Sequence, residues 1–179
     1  LAGCLQCLEN GSETLRKRIS ASLQWASYSY DNIPRFPYHN RILLLMIAFE
    51  ILASPTNSLT RYSFAKWLDD TWEILPDNKY KLEEEPGKGP YGKVGWWGKE
   101  FYEFRNKIIH DGDPSVLPVH DRMGREYFKT GIYVFSECVK DILRQAGFLS
   151  RRPEYDNIFR AWPLDEQKKM DHNTGTIRK

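Results

Sequence analysis

Arg105, Asn106 and His110 stand in the run F-R-N-K-I-I-H-D-G-D, within residues 100–114 (EFYEFRNKIIHDGDP), and their types suit work on a phosphate. An arginine fork grips two phosphate oxygens and keeps its charge. A histidine takes or gives a proton near neutral pH. On a helix, Asn106 and His110 are i,i+4 neighbours on one face. Trp97, Phe101, Phe104 and Ile108 fall on one stripe at the helical period and make the core face. Tyr102, Arg105 and Ile109 lie between the two, so this second face is mixed, as a surface that meets a partner is. After His110, D-G-D-P offers a glycine for a left-handed cap and a proline that forbids continuation. His110 therefore falls in the last turn, at the negative end of the helix dipole, where an imidazolium is stabilised. Arginine, asparagine and histidine at a helix end also serve as plain capping and surface groups, and the residues alone leave that alternative open.

A carboxylate belongs with this arrangement. Glu50 is the only charge between Ile42 and Ala53 in R-I-L-L-L-M-I-A-F-E-I-L-A, a segment apolar nearly all round. A buried carboxylate without a partner is costly and requires a cation. Arg105 is the candidate, and Glu50 would then orient its guanidinium.

A second phosphate signal does not hold together as well. Residues 87–93 read G-K-G-P-Y-G-K, satisfying G-x-G-x-x-G and most of G-x-x-x-x-G-K-[ST]. Val94 stands where a magnesium-holding hydroxyl belongs, and K-L-E-E-E-P precedes the run instead of a buried strand. Both motifs work only where a strand hands over to a helix whose N-terminus faces the phosphates. The match reads as coincidence in a glycine-rich loop, with a magnesium-dependent NTPase using Lys93 as the remote alternative. Lys88 and Lys93, with Tyr91, form a basic flap suited to a nucleic-acid backbone. Lys99 and Lys107 are further weak candidates for RNA contact. The C-x-x-C of Cys4 and Cys7 has three readings: chance in a helical start, half of a zinc site completed elsewhere, or a redox pair. No metal or cofactor is expected.

These residues need elements to hold them. The chain has 179 residues, 41 % hydrophobic and 14 % aromatic, enough for one packed domain over 1–150, with a polar extension over 151–179. Its formal charge of +2 neither demands nor excludes nucleic acid. No stretch reads as a membrane span or a signal peptide, and a reducing, cytoplasmic setting fits the cysteine usage. The periodicity predicts an all-α, up-down bundle of about five helices. The first follows the N-cap Ser12, with Leu15, Ile19, Leu23 and Ala26 inward. The second spans about 41–53. The third spans about 59–75, with Tyr62, Ala65 or Lys66, Leu68 and Trp72 on one period. The fourth spans about 96–110, and the fifth about 121–146, with Phe128, Ile132, Phe135, Val139 and Ile142 on one stripe and Gly147 as its stop. Between the third and fourth, residues 76–95 form a long Gly/Pro-rich loop.

F-R-N-K-I-I-H-D-G-D resembles the R-x4-6-H motif, often written R-N-x-x-x-H, of the HEPN superfamily of small all-α domains. The R-I-L-L-L-M-I-A-F-E-I-L-A helix is similar to the apolar, acid-bearing helix of the ApeA-like branch, and the looser likeness extends over residues 39–146. The resemblance implies that Arg105 and His110 are catalytic and that Asn106 supports them. Glu50, Tyr102 and Asp111 are expected as supporting residues around them. It implies a metal-independent endoribonuclease, acting as a toxin or an antiviral, abortive-infection effector. It further implies a homodimer with a composite site, and an antitoxin or a fused upstream sensor domain as regulator. The other function open to such a chain is a non-catalytic helical module that binds a nucleotide or a partner protein through the Tyr102/Ile109 face. The departures from the family lie outside the motif, in the Gly-rich loop and the C-x-x-C.

Overall fold

A computed structural model describes residues 2–30, 37–53, 59–71, 91–111, 120 and 126–150, apart from the side chains of Lys93 and Asp111. These residues form six helices: α1 (Ala2–Asn10), α2 (Glu13–Tyr30), α3 (Tyr38–Ala53), α4 (Arg61–Thr71), α5 (Lys93–Asp111) and α6 (Tyr127–Gln145). The protein is all-α, and among the described residues the sole β feature is an isolated bridge between His120 and Glu126. None of these helices is long and apolar enough to cross a membrane. Trp72, the loop residues before Tyr91, the Gly112 cap and residues 151–179 lie outside the described residues.

Local chemistry sets most of the helix ends. Ser12 caps α2, its Oγ accepting from Leu15 N–H at 3.3 Å. Thr60 and Ser63 exchange side-chain and backbone bonds at the start of α4: Thr60 N–H donates to Ser63 Oγ at 2.8 Å, and Ser63 N–H to Thr60 Oγ1 at 3.2 Å. Gly147 ends α6 at φ 81, with Phe148 N–H on Leu143 O and Gly147 N–H on Arg144 O, a Schellman pair. The helix expected from about 121 begins at Tyr127, because Glu126 is extended and acts as its N-cap. One element lies beyond the five expected. The short α1 turns Cys7 and Gly3 inward and leaves Leu5 and Leu8 exposed.

Packing then orders the bundle. α2 and α3 run antiparallel and are tied at both ends by arginines. Arg18, early in α2, donates to Leu52 O near the end of α3. Arg41, early in α3, donates to Ser29 O near the end of α2. Each supplies a cation and a donor to last-turn carbonyls that the helix itself leaves unpaired. At the centre, Phe49 of α3 meets Phe64 of α4 and Phe135 of α6 at 5.3 Å and Phe101 of α5 at 6.0 Å, all tilted edge to face. The expected inward stripes are present: Trp97, Phe101 and Phe104 on α5, and Phe128, Phe135, Val139 and Ile142 on α6, are buried, while Ile108 and Ile132 are half-buried against the core.

α5 starts at Lys93, three residues earlier than its hydrophobic period suggests, and the cause is on α4. The Asp69 carboxylate accepts from Gly92 N–H at 2.5 Å and from Gly95 N–H at 2.7 Å. It satisfies first-turn amides that α5 cannot satisfy itself. A Cβ on Gly95 would lie 2.6 Å from Asp69 Cγ, so only glycine lets the carboxylate in. One turn on, Gly98 receives the Leu68 side chain in the space a Cβ would take. Tyr91 is buried with its ring edge-on to Trp96, so it is a core residue and not part of an exposed basic flap.

Two consequences are measurable. Gly98→Val drives a branched side chain into Leu68 and should cost about 1–3 kcal/mol in urea unfolding, as overpacking does. Burial pushes the Asp69 carboxyl up from 3.8 to about 6, against the two amide bonds that pull it down. Between those values the folded chain holds a proton that the unfolded chain releases. Its contribution is therefore present below the unfolded value and lost as the pH rises through about 6. Asp69→Asn keeps one amide acceptor and removes this titration. It should flatten the pH dependence of unfolding free energy over that range by on the order of 1–3 kcal/mol. An equally steep dependence in variant and parent would refute the assignment.

Candidate functional site

The C-terminal half of α5 carries the candidate residues, and its own core face positions them. With Phe101 and Phe104 buried, the helix can roll very little; Arg105 and Asn106 are set at the boundary of the core and His110 in the open. Arg105 is half-buried and held from three sides. Its Nη1 donates to Asn106 Oδ1 at 3.0 Å, and its Nη2 lies 3.6 Å from Glu50 Oε1 on α3. Its Cζ lies 5.5 Å from the Tyr102 ring centroid. The pairing of Glu50 with Arg105 read from the sequence is thus present. Glu50 itself is partly exposed, its side chain at 32 %, so it is a boundary carboxylate and not a deeply buried one.

Tyr102 departs from expectation. It is buried, and its hydroxyl donates to Leu59 O at 2.5 Å, just before α4. Burial pushes its phenol above the ordinary value. It can brace Arg105 from beneath, but it does not offer a surface to a partner. The exposed apolar contact on this part of α5 is Ile109, at 48 %.

The lysines separate. Lys99 is 7 % exposed, its Nζ 4.7 Å from the Trp96 ring centroid and 3.9 Å from Glu103 Oε1. Glu103 in turn accepts from Arg61 of α4 at 2.8 Å. Lys99 is thereby corrected from a candidate RNA contact to a cation built into the α4–α5 seam. Lys107 is exposed, and His110 is exposed at the helix end. Lys88 lies outside the described residues, as do the side chains of Lys93 and Asp111.

The other phosphate candidate loses its geometry. The amides of Gly92 and Gly95, which a phosphate would need, already hold the Asp69 carboxylate. Asp69 was not singled out from the sequence, although a signal existed. Asp69 and Asp70 sit in the last turn of α4, where the helix dipole disfavours acids. Asp70 finds Lys66 at 2.8 Å; Asp69 required a partner from elsewhere. Cys4, Cys7 and Cys138 form no disulfide with one another, and among the described residues no three His, Cys, Asp or Glu side chains gather as metal ligands would.

Chemically, the arrangement is a guanidinium held in place on α5, with an exposed imidazole further along the same helix. Among the described residues, the Arg105 guanidinium meets Asn106 through Nη1 and Glu50 through Nη2, and a guanidinium has five N–H donors. No family model matches this chain, and neither a curated protein nor a solved structure matches it.

The ion pair should be of modest strength, because both partners are partly exposed. A double-mutant cycle of Glu50→Gln and Arg105→Gln should give a coupling of about 0.2–1 kcal/mol in chemical unfolding. Arg105 substitutions would then leave a folded protein, so activity losses can be read as chemistry.

Proposed function

We propose that the protein is a metal-independent endoribonuclease of HEPN type, acting on RNA through Arg105 and His110. The observation that carries the reading is the restrained Arg105, bonded to Asn106 at 3.0 Å and 3.6 Å from Glu50, on the same helix as an exposed His110. A guanidinium fixed before substrate arrives needs no reorganisation when charge develops on a phosphorane. His110 removes the proton from a ribose 2′-hydroxyl, or delivers one to the leaving 5′-oxygen. The 2′-oxygen bonds to phosphorus and the P–O5′ bond breaks. The products carry a 2′,3′-cyclic phosphate and a 5′-hydroxyl. DNA lacks the nucleophile, so RNA is the substrate class.

One copy offers one arginine and one histidine, which supports a composite site between two copies, with the exposed Ile109 as an apolar contact beside it. Lys107, on the same exposed stretch, is a phosphate contact for the RNA. Such a cleaving activity fits a toxin or defence effector held in check by an antitoxin or sensor.

The protein should cleave single-stranded RNA in the presence of EDTA. Arg105→Ala and His110→Ala should each lower the rate by about 100-fold or more, with the far-UV spectrum unchanged. Full cleavage by either variant, or none by the parent with or without divalent ions, would overturn the reading.

A further inference from the structure

α2 and α6 both pack on α3, yet they do not pack along one another. Neighbouring helices in a filled interior interdigitate. Here the space between the two is a partly open cleft of ≈ 430 Å³, within the size range of small-molecule sites. Leu23 and Ala26 line it from α2, Phe135 and Val139 from α6, and Gly3 and Cys4 of α1, which packs on both helices, close one side. Ala26 contributes a single methyl to the α2 wall. Water in such a space finds few polar partners and is easily displaced by hydrocarbon.

The lining includes one cation, Lys140. Its Nζ lies 2.6 Å from Glu137 Oε1, and the Glu137 side chain is 5 % exposed while that of Lys140 is 50 % exposed. The buried carboxylate anchors the ammonium at the cleft edge. An ammonium has three donors, and Glu137 engages one, leaving donors for an incoming anion.

We propose that this cleft binds an amphipathic small molecule of the fatty-acid class. Its aliphatic chain lies between α2 and α6, and its carboxylate meets Lys140. The chain supplies most of the affinity, because the walls are apolar; the headgroup sets orientation. None of these residues belongs to the α5 site, so the proposal stands apart from RNA cleavage.

The test is a fluorescence titration of the full chain with a dansylated undecanoic acid, followed by displacement with decanoate or decanol. Saturable binding, displaced by decanoate, is expected. Ala26→Phe fills the cleft and should weaken probe binding by about tenfold or more, with Val139→Phe as a second filling variant should the first misfold. Lys140→Gln should weaken decanoate by about two- to fivefold, the worth of a half-exposed ion pair, and leave decanol unchanged. Absence of saturable binding in the parent, or unaltered affinity in a folded filling variant, overturns the proposal. Equal effects of Lys140→Gln on decanoate and decanol overturn the assignment of the carboxylate to Lys140.

Discussion

Phe49 is the contact on which the bundle depends. It sits in the middle of the most apolar helix and touches aromatic rings from α4, α5 and α6 at once. Edge-to-face rings tolerate little sliding, so the three helices take their positions from one side chain. Glu50 follows Phe49 directly in sequence. With Phe49 packed among the other helices, the next residue is turned toward the margin of the core on the α5 side, and its carboxylate comes to lie 3.6 Å from Arg105. The packing of the core and the posture of the candidate site are therefore one arrangement.

α5 uses its two ends differently. At the N-terminus, the free amides are taken by Asp69 of α4, a carboxylate from within the protein. At the C-terminus, His110 is exposed and Arg105 is steadied by Asn106 and Glu50. A helix end with its groups satisfied is a structural joint, and one with groups to spare is where a ligand can be received. The same distinction separates the cations. Lys99 is spent on Trp96, Glu103 and the α4–α5 seam, whereas Lys107 remains at the surface.

The legible parts of this protein were those carried by repetition along one helix. The α5 and α6 stripes, the Ser12 cap and the Gly147 stop depend on residues a few positions apart, and pattern reading finds them. The Glu50–Arg105 pair was legible for another reason: a lone acid in an apolar helix demands a cation, and few stood in a suitable place. Tyr102 was misread, because its spacing puts it at the edge of the core stripe, and only the approach of Leu59 and Phe64 decides on which side of that edge it falls.

By itself, then, the sequence determined the all-α class, the inward faces of the long helices and the place of Asn106 and His110 on one face of α5, since all of these follow from helical period. Tertiary structure alone decided which lysine is buried, that Asp69 starts α5, and that α2 and α6 stand apart around a cleft. Each of those outcomes depends on how far apart two helices settle. That distance is set by glycines and bulky side chains on different helices meeting in space, as Gly95 meets Asp69 and Gly98 meets Leu68. No periodicity along one chain segment encodes it.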